Sequence, residues 1–191
     1  TISANVWYHV AVTFNGSNTI KIYLNGNLDG SRTDASSINI TDSQYYIGKR
    51  SDGLHFDGCI DEVAIWNTEL SADDVAKIAS KPVDFSKAST YATDRTSNLK
   101  LWLRAGDKAE PESTTAIARQ DFYTDFDGTD DYVECGTNVF PTNSDYTKTA
   151  WVNVVGLSTN NILSGASSHA FWFNVTKTTI QAGHGGNYSR V

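Results

Sequence analysis

The chain has no methionine, three prolines and two cysteines, Cys59 and Cys135, among 191 residues. Two cysteines make no disulfide framework and are too few for a cysteine zinc site. Two buried thiols or one bridge remain as readings. Basic residues are scarce, 15 Lys and Arg against 22 Asp and Glu, for a net charge of −7. No basic stripe appears, so the phosphate-neutralising footprint of a nucleic-acid binder is missing. No apolar run reaches membrane-spanning length and no secretory leader is visible, so membrane insertion is not expected. The chain opens on Thr1, so a missing leader says little about a full-length product. No H-E-x-x-H, phosphate-binding glycine loop or G-x-S-x-G occurs.

Aromatics are plentiful: five Trp, nine Tyr and eight Phe in a chain that is 39% hydrophobic. These are the large side chains of a β-rich core, and the length suits one core better than two. Residues 7–14, WYHVAVTF, alternate with period 2 and read as a strand. The Asn15-Gly16 turn leads to a strand over 19–24, and Asn25-Gly26 and Asp29-Gly30 mark further turns. Residues 44–48, QYYIG, give a short strand, and CIDEVAIW ending at Trp66 gives one apolar on both faces.

At residue 67 the pattern changes. Ser71 is a candidate N-cap, Asp74 completes a capping box, and Leu70 is the staple residue of a helix of about two turns. Residues 81–97 read as an irregular joint. Strands follow at 99–104, 122–126, 131–134 and 146–155, then in NILSG, HAFWFNV and TTIQAG. Strands at this spacing, separated by Asn-Gly, Asp-Gly and Gly-Gly turns, predict an all-β sandwich of two antiparallel sheets with one short helix.

Trp7, His9, Val10, Tyr23, Asn25-Gly26, Ile47-Gly48, Phe56, Gly58, Ile60-Asp61-Glu62 and Trp66 stand in an order that resembles the laminin G-like, concanavalin A-like lectin/glucanase jelly-roll family. LKLWLRAGD, FDGTDDYVECG and YTKTAWVNV resemble the opening strands of the same family. The resemblance therefore puts the second half of the jelly-roll in 1–80 and the first half in 98–191, together one domain in permuted order. Joining Arg190-Val191 to Thr1-Ile2 would restore the family order. The order is either a circular permutation, since jelly-roll ends lie close together, or an array in which neighbours exchange halves. In such a jelly-roll Cys59 and Cys135 fall on closing and opening strands, which keeps a bridge geometrically open.

Asp61 and Glu62 belong to the family signature as structural residues. Enzymes of this fold carry alternating acids of E-x-D-x-x-E type on one strand; no such run occurs, so no catalytic residues and no glycoside hydrolase activity are expected. Asp127, Asp130, Asp131 and Glu134 lie within eight residues and offer oxygen ligands to a calcium ion, with Asp52 and Asp57 as alternative donors. A solvated acidic turn would look the same, so the cofactor expectation is none or one calcium. Trp7, Trp66, Trp102 and Trp151 follow strand periodicity and read as core, as does His9. Trp172, His184, Tyr188, Tyr45 and Tyr46 are the candidates for contacting a ligand, since an exposed ring stacks on a sugar face. Sequons stand at Asn15, Asn39, Asn174 and Asn187.

The resemblance implies a non-catalytic recognition module on an extracellular or virion surface, with a glycan or other cell-surface ligand as its partner. The alternative is a structural module of a fibre, phage tail or capsid, whose halves are exchanged between copies.

Overall fold

The computed structural model describes residues 2–33, 44–50, 53–80, 84–104, 123–136, 145–156, 159–165, 171–176, 178–184 and 187–190; at 159, 171–174, 176, 184 and 187–190 the description is of the backbone. Its strands are β1 Trp7–Phe14, β2 Ile20–Leu24, β3 Asn27–Arg32, β4 Tyr45–Ile47, β5 Asp57–Trp66, β6 Leu99–Leu103, β7 Thr124–Asp127, β8 Val133–Glu134, β9 Tyr146–Val154, β10 Thr159–Gly165, β11 Phe171–Thr176, β12 Thr179–His184 and β13 Asn187–Arg190. One helix, α1, spans Ala72–Ala79.

The strands form two antiparallel sheets, as the alternation predicted. One runs β3-β2-β1-β9-β5-β6, with β7 also paired to β5; the other runs β13-β12-β11-β10-β4-β8. The Asp29-Gly30 pair, expected as a turn, lies inside β3 instead. The β2–β3 register shifts there: Ile22 pairs with Gly30 and Tyr23 with Leu28, so Asp29 is the extra residue of a bulge within the ladder.

Both sheets draw on both ends of the sequence. β9 lies between β1 and β5, pairing Val10 with Ala150 on one side and Ile60 with Val152 on the other. In the second sheet β4 lies between β10 and β8. The core between the sheets is correspondingly mixed: Val10, Val12, Phe14, Ile60 and Ile65 pack with Phe126, Ala150, Val152, Leu163, Ile180 and Ala182.

A second apolar cluster covers part of the outer face of the seven-stranded sheet. Ala11, Tyr23, Ala64 and Trp66 from the strands meet Leu70, Val75 and Ile78 of the helix segment and Phe85 and Tyr91 of the joint. The helix starts where the sequence predicts. Asp74 N–H donates to Ser71 Oγ at 3.1 Å, and Ser71 N–H donates to Asp74 Oδ2 at 3.2 Å. Leu70 and Val75, both buried, share the second cluster, as a staple requires.

The joint is pinned as well. Tyr91 Oη donates to Phe85 O at 2.7 Å and accepts from Trp66 Nε1 at 3.2 Å. The amides of Ala92 and Thr93 donate to Asp74 Oδ1 at 2.6 and 3.3 Å.

Candidate functional site

The helix and joint cover only one end of the outer face of the seven-stranded sheet. At the other end two rows of side chains cross the strands. The first row is Trp7 on β1, Asn153 on β9, Cys59 on β5 and Asp125 on β7. The second is His9, Trp151 and Asp61. Opposed residues of an antiparallel pair share a face, and the core residues Val10, Ile60, Phe126 and Val152 alternate with these rows. The rows therefore belong to the face turned away from the core.

Among the described residues no element packs over this half-face, and it is aromatic. Trp7 and Trp151 are half-buried and belong to neither apolar cluster. Tyr123, just before β7, is 46% exposed, and its ring lies 5.8 Å from that of Trp7. Val6 and Val155 at the same end are 44% and 51% exposed. The expectation that Trp7 and Trp151 are core residues is thus corrected. Period 2 shows that they share a face, but which face the helix covers, and how far, is a tertiary fact. Trp66 and Trp102 do pack in the second cluster.

The polar groups of the patch are mostly acceptors. Asp125 is exposed, and Cys59 Sγ donates to its Oδ1 at 3.6 Å. Burial, then the charge and hydrogen bond of Asp125, push the Cys59 thiol up to about 11. Asn153 Oδ1 has no hydrogen-bond partner among the described residues. His9 is buried with its ring edge-on to Trp151, the centroids 5.4 Å apart. Thr149 Oγ1 donates to Val10 O at 3.0 Å, so it accepts from His9 Nε2 at 2.6 Å. Burial lowers the His9 pKa to about 3, which keeps the ring neutral.

At the edge of the patch the β5 ladder is interrupted between Asp61 and Ala64. Glu62 sits there at φ 50°, in the left-handed region. Its amide donates to Asp61 Oδ1 at 2.7 Å. Its carboxylate accepts from Trp102 Nε1 and faces Arg104 Nε at 3.4 Å, and the Arg104 guanidinium lies 4.4 Å from the Trp102 ring centroid. Burial is the main force on the Glu62 carboxyl and raises its pKa. Asp61 and Glu62 thus fasten a bulge and tie β5 to β6.

The candidates drawn from the sequence divide between the two faces of the six-stranded sheet. Tyr45 is 2% exposed and packs in the core, so it is corrected out of any contact surface; its strand neighbour Tyr46 takes the opposite face. One register row runs Tyr188, Gly183, Trp172, Ser164, Tyr46, Glu134 across six strands. Trp172 and Tyr188 therefore share a row with Tyr46, while His184 stands opposite Phe171 in a neighbouring row. The side chains of Trp172, His184 and Tyr188 lie outside the described part. The Tyr46 ring meets that of Tyr132 at 5.7 Å, and Lys49 Nζ lies 3.9 Å from the Tyr132 centroid.

Beside Tyr132, the carboxylates of Asp127, Asp130 and Asp131 come within 4.8 Å of one another, all exposed. The turn is shaped by two amides: Asp127 N–H donates to Asp131 Oδ2 at 3.1 Å and Thr129 N–H to Asp127 Oδ1 at 2.8 Å. Three hard oxygen donors at this spacing could hold a divalent ion, and they suit calcium. Glu134 is not one of this group; it sits on β8 opposite Tyr46. Asp57 is on β5, where its amide donates to Asn160 Oδ1 at 2.7 Å, and Asp52 lies outside the described residues. The bridge left open for Cys59 and Cys135 is not formed, because Cys59 belongs to the seven-stranded sheet and Cys135 follows β8 in the other. Both thiols are free.

Among the described residues no helix is long and apolar enough to cross a membrane, which leaves open crossing by strands. Residues 1–76 match the sequence model of a family described as the concanavalin A-like lectin/glucanases superfamily. The match covers the first five strands and the start of the helix. No curated protein and no solved structure matches the chain.

Proposed function

We propose that the protein is a non-catalytic carbohydrate-recognition module of an extracellular or virion surface. The observation that carries this reading is the open half-face of Trp7, Trp151 and Tyr123, flanked by Asp125 and Asn153. Part-exposed aromatic side chains grouped at one end of a sheet support an interaction site, and rings beside a few polar groups suit a sugar's apolar face and its hydroxyls. The superfamily match supports the same direction without choosing among lectin, enzyme and structural roles. A calcium ion on the Asp127, Asp130 and Asp131 turn would be a separate, structural addition between β7 and β8.

The test is a glycan array probed with the parent chain and with Trp151→Ala and Tyr123→Ala. The parent should bind a defined set of glycans, and each variant should lose that set while melting like the parent. Self-association abolished by these same variants, with no glycan bound, would assign the face to contact between copies and overturn the reading.

A further inference from the structure

The two rows on the open half-face carry charge of one sign only. Their ionisable acids are Asp61 and Asp125, and they contain no lysine or arginine. His9, in the second row, is buried and neutral at ordinary pH. At the adjoining bulge Arg104 is engaged with Glu62 and lies over Trp102. Nothing in the rows would offset the charge of a uronate or a sulfate, and Asp125 would repel it. An ammonium group meets the opposite situation. It finds the exposed carboxylate of Asp125 and the ring faces of Trp7 and Tyr123, and cations are held by both.

We propose that this half-face takes a glycan carrying free, protonated amino groups: hexosamine units that are not acetylated. The inference rests on the carbohydrate reading above and narrows it. The pyranose ring lies against Trp7, Tyr123 or Trp151, and its ammonium donates to Asp125.

Titration calorimetry with three chains of equal length separates the possibilities. The chains are a hexamer of β-1,4-linked glucosamine, the same hexamer fully N-acetylated, and cellohexaose, all at about pH 6. The glucosamine hexamer should bind at least about tenfold more tightly than either neutral chain, the scale of one charge-assisted contact. That advantage should shrink as salt is raised. Asp125→Asn should bring the three affinities together without weakening the neutral chains. Asp29→Asn, on the exposed strand β3 of the same sheet, should leave the advantage intact and so exclude a general attraction to an acidic protein. Equal binding of all three chains by the parent would overturn the amine preference and leave the carbohydrate reading standing. An advantage lost equally in Asp29→Asn would also overturn it. Binding of none of the chains, together with a blank glycan array, would overturn both.

Discussion

The backbone N–H of Ile2 donates to the carbonyl of Thr178 at 3.1 Å. The ladder between β12 and β13 pairs Gln181 with Arg190. Thr178 is three residues before Gln181, so its partner in that ladder is three residues beyond Arg190. Counting Val191, Thr1 and Ile2 reaches that place. Ile2 is 1% exposed and packs in the core, as the face alternation demands at that position. The two ends of the sequence thus stand in register as neighbouring stretches of one strand.

A chain in which Val191 is joined to Thr1 and opened at residues 81–83 should therefore fold to the same sandwich. Its far-UV circular dichroism should match the parent, and its melting temperature should change by only a few degrees, since every described ladder is kept. A chain that no longer melts cooperatively would show that the register at Ile2 does not tolerate the covalent join.

Asp74 is fully buried and serves two structures at once, capping α1 through Ser71 and holding the joint through Ala92 and Thr93. Arg95 Nε lies 3.6 Å from its Oδ2. Burial alone would raise its pKa, but the hydrogen bonds from Ser71, Ala92 and Thr93 outweigh it and hold the carboxyl below the usual range. A depressed folded-state pKa stabilises above the unfolded value, and that stability is lost as pH falls through the folded value. Parent stability should therefore decline on acidification below about pH 4. Asp74→Ala should cost about 2–4 kcal/mol by urea unfolding near neutral pH, combining a lost cap with amides left unpaired. It should also remove this component of the acid decline. A variant with the parent's acid limb would show that other groups control it.

The sandwich was legible because period-2 alternation and turn dipeptides are local signals, and so was the helix start, whose cap and staple lie within five residues. Three things were not. The strand β3 was hidden by its Asp29-Gly30 pair, since a glycine within a ladder and a glycine in a turn look alike in sequence. The exposure of Trp7 and Trp151 depends on how far α1 and the joint reach across the sheet. The grouping of Trp7, Tyr123 and Asp125 depends on β9 inserting between β1 and β5, pairings between strands far apart in the sequence. On the six-stranded sheet the sequence did mark Tyr46, Trp172 and Tyr188, which the register places in one row, but parity alone could not tell Tyr46 from the buried Tyr45.

Lys148 is a polar residue on the core side of β9, 0% exposed, with its Nζ 5.4 Å from the Tyr146 ring centroid. Burial lowers its pKa well below that of an ordinary lysine. The folded chain then gives up this proton at a lower pH than the unfolded chain does, so stability rises with pH through that window until the unfolded lysine also loses its proton, at about 10.4. His9 acts in the same sense in a lower window, between about 6.5 and its folded value of about 3. Lys148→Met should raise the melting temperature by at least about 2–4 °C near neutral pH. It should also flatten the rise expected of the parent between neutral and alkaline pH. Calorimetry across that range decides; a lower melting temperature for the variant at every pH would show that the ammonium contributes more than its burial costs.

Gly58 sits where strands from both ends of the sequence meet in the seven-stranded sheet. It lies on β5 at φ 138°, paired with Val154 of β9 on one side and Phe126 of β7 on the other. A Cβ placed there would stand 2.1 Å from the backbone oxygen of Asn153 and 3.0 Å from the amide of Val155. Both obstacles are backbone, so no side-chain rotation relieves them, and the φ value strains any other residue. Gly58→Ala should therefore destabilise by more than about 4 kcal/mol, beyond the usual range for single substitutions. Gly53 gives the control: its φ is 84°, but among the described residues nothing lies within 4 Å of an added Cβ. Gly53→Ala should cost only the backbone term, about 1–2 kcal/mol. Equal losses for the two variants in urea unfolding would mean that the contact with Asn153 relaxes freely, and that β5 and β9 are less tightly apposed than the ladder at Gly58 requires.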